Sequence, residues 1–185
     1  MNSLLSLKRS WPKLAFFYVI LCSVNTSGFA DHDATMLKGK PEEVIASLHV
    51  GKTTIAQAIK ILGKPEKIEE TPLENTTVKG RKYQWKHGTV LITGYAYYYG
   101  EAKSTLYAVE IEYSDAAAVK VPNIGTGQGL RLGDSFERLN RLYGLKLTSS
   151  PKSRLDLEWH NHNELEVDFD KNGIIVWLFL HTGLE

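Results

Sequence analysis

From Thr89 to Tyr99 the chain divides into two faces by a period of two. Val90, Ile92, Ala96 and Tyr98 share one parity. Leu91, Thr93, Tyr95, Tyr97 and Tyr99 share the other. A period of two places successive side chains on opposite faces of a strand. After the turn signal of residues 100–103 the pattern returns in Thr105 to Tyr113. There Tyr107, Val109 and Ile111 oppose Glu110 and Glu112. Such a hairpin is stable only within a larger sheet that covers one face. The chain is therefore committed to a sheet, and the remaining segments must supply more strands and a covering layer.

They do so in a recurring order. Ile55, Ala58, Ile59 and Leu62 fall at i, i+3, i+4 and i+7, an amphipathic helix. Thr54 with Gln57 forms a capping box at its start, and Gly63 and Pro65 stop it. Strands follow, with Tyr83 and Trp85 in the first of them. After a connector broken by Pro122, Gly125, Gly127 and Gly129, the stretch Leu130 to Gly144 echoes Leu48 to Gly63. Phe136, Leu139 and Tyr143 make its stripe, with Asp134 and Glu137 as the expected cap. Strands are expected again at 155–159, 164–169 and 174–181, the last two joined by the hairpin signal Lys171-Asn172-Gly173. Pro41 to Leu48 reads as a further helix start. The expectation is an α+β protein: a tandem repeat of helix plus antiparallel β-meander units, in a sheet with helices on one face. The first repeat spans 41–120 and the second 121–185.

Residues 1–30 read as something other than fold. Lys8, Arg9 and Lys13 precede the apolar run Leu14 to Val24, and small residues lead to Ala30. That is the layout of a signal peptide cleaved near Ala30. A periplasmic or secreted location is expected, with 31–40 as a flexible lead-in. Eleven apolar residues fall short of the ~20 that a spanning helix needs, so no transmembrane segment is expected in the mature chain. Cys22 follows Leu21 where a lipobox needs a small residue, so lipidation is not expected. Three of the 22 Lys and Arg lie in this leader and none of the 21 Asp and Glu, leaving 19 against 21, a formal charge of −2. That balance excludes a basic field for nucleic acid. The sole cysteine leaves with the leader, so no disulfide supports the core.

The unit of glycine, small polar cap, short helix, Leu/Tyr-Gly and a Trp-bearing meander resembles the β-lactamase-inhibitor-protein-like fold. The same fold occurs in the SmpA/OmlA family of small outer-membrane-assembly lipoproteins. The residues that carry the likeness are Gly51 to Pro65 and Gly127-Gln-Gly-Leu-Arg-Leu-Gly-Asp-Ser135 through Gly144. It covers most of 44–181, without the lipobox of the assembly lipoproteins. The resemblance implies a protein that presents a sheet face to another exported or envelope protein and performs no chemistry.

Candidate chemistry is sparse. Gly51-Lys52-Thr53 looks like the end of a phosphate loop, but Ala46 stands where its first glycine belongs. Asp168, Asp170 and Asn172 begin like a calcium loop, yet Phe179 takes the place of its last glutamate. His160 and His162 alternate as zinc or copper ligands do, with Glu158 or Glu164 as helpers. These are weak metal candidates, and no cofactor is expected. Glu110, Glu112, Glu164, Glu166 and Asp168 alternate with apolar residues, as solvated strand faces do. No nucleophile sits in a recognisable motif, and no enzyme is expected. The aromatic residues are a stronger signal. Tyr and Trp bury area at low entropic cost and suit interfaces, though aromatic strand residues also fill cores. Trp85, Tyr95, Tyr97, Tyr99, Trp159 and Trp177 are the expected protein-binding set. The expected function is an exported, non-enzymatic protein-binding module. The alternative is a periplasmic small-molecule or metal-ion binder.

Overall fold

The computed structural model describes residues 35–38, 40–72, 79–100, 102–114, 124–148, 153–160 and 162–182. The expected leader and its cut lie outside these residues. His32–Glu185 forms one self-contained unit.

The period-two segments are strands. They are β1 (Thr35–Leu37), β2 (Val44–Ile45), β3 (Leu48–His49), β4 (Lys67–Pro72), β5 (Lys79–His87), β6 (Val90–Tyr97), β7 (Leu106–Tyr113), β8 (Arg154–Trp159), β9 (Asn163–Phe169) and β10 (Ile175–Thr182). Among the described residues two helices accompany them, α1 (Ile55–Leu62) and α2 (Phe136–Tyr143). Eight strands make one sheet in the order β1-β8-β9-β10-β7-β6-β5-β4, and β2 with β3 makes a small separate hairpin. Every ladder of the large sheet is antiparallel except β1 on β8, which is parallel. Its middle is the β7–β10 ladder, with Trp177 opposite Glu112, Phe179 opposite Glu110 and His181 opposite Ala108.

This corrects the expected α+β tandem repeat. The chain is mainly β, and its strands form one mixed sheet rather than two helix-plus-meander units. The reason is physical. Each helix is only eight residues long and buries a narrow stripe, Ile55 and Ala58 in α1, Phe136 and Leu139 in α2. Neither can cover a meander alone. The β7–β10 ladder joins the strands, and one apolar core runs from Tyr83, Trp85 and Ile92 to Leu157, Leu165 and Phe136. Two further expectations are corrected. Residues 41–48 form no helix but lead into the β2–β3 hairpin, whose turn residues Ala46 and Ser47 both have positive φ. The lead-in of 31–40 is not all irregular, because Thr35–Leu37 pairs with Leu157–Trp159.

Local signals account for the helices. Thr54 caps α1 with the reciprocal Gln57 contact of a capping box. α2 is capped by Ser135, not by the expected Asp134, whose carboxylate instead accepts from Arg131 N–H (2.9 Å) and Arg138 Nε–H (3.0 Å). Both helices pack on the same sheet face. Trp85 Nε1–H donates to the Gly63 carbonyl at the end of α1 (2.8 Å), and Phe136 meets Phe169 edge-on at 5.9 Å. Gly94 lies beneath this layer. A Cβ there would come within 2.8 Å of Leu106 and 3.2 Å of Trp85, so only glycine leaves room for the indole. No helix among the described residues is long and apolar enough to cross a membrane.

Candidate functional site

With both helices on one face, the other face of the sheet carries no layer of its own chain among the described elements. Direct cross-strand partners share a face, so register alone gives its contents. β10 presents Trp177, Phe179 and His181. β7 presents Glu112 and Glu110, and β6 presents Leu91, Thr93 and Tyr95. On one side follow Glu164, Glu166 and Asp168 of β9, then Glu158, Asp156 and Arg154 of β8. On the other side lie Lys86, Gln84 and Lys82 of β5.

The centre is aromatic and half-buried. Tyr97 and Tyr107 lie 4.7 Å apart, Trp177 and Phe179 5.5 Å, and Tyr95 meets Phe179 edge-on at 6.0 Å. Glu110 organises this centre. One of its carboxylate oxygens accepts from Tyr95 Oη–H and the other from Trp177 Nε1–H, each at 2.6 Å. Burial, together with the adjacent Glu110 carboxylate, holds the Tyr95 phenol well above its ordinary range, so it remains a donor. Burial, then repulsion from Glu110, raises the Glu112 carboxyl. Arg154 grips Asp168 with two donors (2.7 and 3.2 Å) and Glu166 with a third (2.7 Å). Its guanidinium stands 4.9 Å from the Trp177 ring centre. An aromatic patch thus lies between an acidic flank on β8 and β9 and a lysine-bearing flank on β5.

Of the expected binding residues, Tyr95, Tyr97 and Trp177 belong to this face. Tyr99 lies beyond the end of β6 and is the most exposed large apolar residue described, at 62%. Trp85 and Trp159 do not belong. They are 1% and 4% exposed beneath the helices, because their parity on β5 and β8 points them inward. Phe179, Tyr107 and Glu110 were not singled out for binding. Phe179 sits in an apolar run whose faces only register assigns. Tyr107 was expected on the face of Val109 and Ile111, but the register shift between Tyr95 and Ala96 brings it to the open face beside Tyr97. Glu110 reads as an ordinary solvated acid.

The weak metal candidates fall in two places. Asp168 is held by Arg154. Asp170 Oδ1 accepts from the backbone N–H groups of Asn172 (2.8 Å) and Ile174 (2.9 Å), closing the β9–β10 turn. His160 and His162 are exposed in the β8–β9 turn, where they line one cavity with their expected helpers Glu158 and Glu164. The lead at Gly51-Lys52-Thr53 resolves into a turn, where Thr53 Oγ1 accepts from His49 N–H (2.8 Å).

A second polar centre was not anticipated. Glu42, 2% exposed, accepts from Gly127 N–H and Gln128 N–H (both 3.1 Å) and from Tyr143 Oη–H (3.0 Å). Burial and this carboxylate raise the Tyr143 phenol far above its ordinary value. A Cβ on Gly127 would lie 2.8 Å from Glu42 Oε1, so glycine permits the approach. Glu42 thereby ties the segment before β2 to the loop before α2.

No family model matches the chain, and no curated protein does. The expected kinship with SmpA/OmlA therefore has no sequence support. Among solved structures the chain is similar to a Streptococcus mutans protein provisionally described as a beta-lactamase inhibitor protein. The likeness has 18% identity and a TM-score of 0.30, over 72% of this chain and 85% of that one. At that TM-score it defines neither a family nor an activity.

Proposed function

We propose that the protein is an exported, non-enzymatic binding module that docks another protein on the open face of its sheet. One observation carries the reading. The central strands β6, β7 and β10 present Tyr95, Tyr97, Tyr107, Trp177 and Phe179 side by side, on a face that no described element of the chain covers. Interfaces favour Tyr and Trp at their centre with charge at the rim. This face has that arrangement. Its polar groups are already oriented, since Glu110 fixes both Tyr95 and Trp177, so docking would cost little side-chain entropy. The acidic flank of Asp156, Glu158 and Glu164 favours a partner with basic residues beside an apolar centre. Export rests on the leader-like residues 1–30. A cut near Ala30 would leave β1, and hence the sheet edge, intact.

The test is affinity capture from an envelope extract with residues 32–185 as bait, the self-contained unit. A stoichiometric protein is expected to be retained. It is expected to be lost with Tyr97→Ala plus Phe179→Ala, and kept with Ile61→Ser on the exposed side of α1. Retention that ignores the sheet variants, or an empty bait after mild cross-linking, would remove the reading.

A further inference from the structure

Beside the aromatic centre, one corner of the open face has a different chemistry. Glu164 and Glu166 are two apart on β9 and share the open face. His181 on β10 lies directly opposite Glu164. One donor atom from each residue lies within 4.8 Å of the other two. His181 Nε2 is 3.4 Å from Glu164 Oε2 and 3.4 Å from Glu166 Oε1. Those separations are long for a charge-assisted hydrogen bond, which closes to ~2.7–2.9 Å. They match a different arrangement. A zinc ion bonded to nitrogen and oxygen at ~2.0–2.2 Å with tetrahedral angles separates its donors by about 3.4 Å.

Charge points the same way. Glu164 lies opposite Glu158 and Glu166 opposite Asp156 across the β8–β9 ladder. Like charges in direct cross-strand pairs destabilise a sheet. Arg154 relieves part of this but engages Glu166 through Oε2, leaving Oε1 directed at His181. The ligand atoms are held by paired strands rather than by a loop, and the His181 ring lies against Phe179 with centres 5.0 Å apart. From these observations we infer a zinc site formed by Glu164, Glu166 and His181, with its fourth position open to solvent on the sheet face. The imidazole selects a transition ion over calcium or magnesium, which prefer all-oxygen sets. Glu164 also belongs to the acidic flank of the docking face, but none of the five aromatic residues that carry the docking proposal is a ligand, so the two can fail independently.

The test is calorimetric titration of zinc into metal-stripped residues 32–185, with a thermal-shift measurement alongside. One zinc per chain and a rise in melting temperature are expected. Loss of even an outer partner of a zinc ligand typically costs ~10–100-fold in affinity. His181→Gln and Glu166→Gln are therefore each expected to weaken binding by at least about tenfold. The double variant His160→Ala, His162→Ala is expected to bind as the parent does. Circular dichroism confirms that each variant is folded, and Glu164→Gln replaces any that is not. Absence of saturable binding, equal affinity in His181→Gln, or loss confined to the His160/His162 variant would overturn the site.

Discussion

At the scale of single residues, Glu42 carries more than its surroundings suggest. Its carboxylate is buried, yet it is met by two loop N–H groups, a tyrosine hydroxyl and, at 3.2 Å, the N–H groups of Glu43 and Val44. Its backbone carbonyl accepts from Asn163 Nδ2 at the start of β9 (2.8 Å). Truncating one partner of a buried network leaves the others unsatisfied, at ~1–3 kcal/mol for each group that water cannot reach. Glu42→Ala is expected to lower unfolding free energy by about 3 kcal/mol. Glu42→Gln, which keeps one acceptor oxygen, is expected to lose less. Urea denaturation measures both, and a loss below about 1 kcal/mol for the alanine variant would contradict the role.

At the scale of elements, the open face combines stabilising and opposing terms. Glu112 is raised by burial and by Glu110, with Lys82 opposing. A raised folded pKa means that the folded state resists ionisation. The penalty is absent below the unfolded carboxylate value and complete once pH passes the higher folded one. Glu112→Gln removes it. The variant is expected to match the parent near pH 3.5 and to exceed it near pH 7, by less than about 1 kcal/mol because solvent screens a side chain this exposed. Denaturation midpoints across that range decide the matter, and an advantage that is constant with pH would contradict it. The individual elements were legible because their signals are local. The Thr54–Gln57 box starts α1, Asp170 to Gly173 turns β9 into β10, and the parities of β6 and β9 assign their faces. What escaped depends on distant chain. Pro41-Glu-Glu resembles a helix start, but the Glu42 partners lie some 85 residues away, at Gly127 and Gln128. β1 has three residues and exists only because β8 offers an edge. Trp85 and Trp159 are outward or inward only once the helices choose a face. Glu164, Glu166 and His181 become neighbours through the β9–β10 register, which no motif in the chain spells out.

At the scale of the whole molecule, the shared core sets the cooperativity. Two independent helix-and-meander units would unfold separately. One core crossing the β7–β10 ladder should unfold as one. Trp85 and Trp159 lie in the two halves of the sheet, both buried. With the other tryptophans replaced by Phe, each can serve alone as a fluorescence probe. The two urea transitions are expected to coincide in midpoint and slope. Midpoints that differ beyond error would restore the two-unit picture.

The central claim is that the uncovered sheet face is where a protein partner sits. Hydroxyl-radical footprinting of the captured complex against the free chain tests it most directly, because aromatic side chains label readily. The account expects protection of Tyr97, Tyr107, Trp177 and Phe179, with Ile61 and Ile68 unchanged. Protection confined to α1, α2 or the β2–β3 hairpin, with the sheet aromatics labelled as in the free chain, would contradict it.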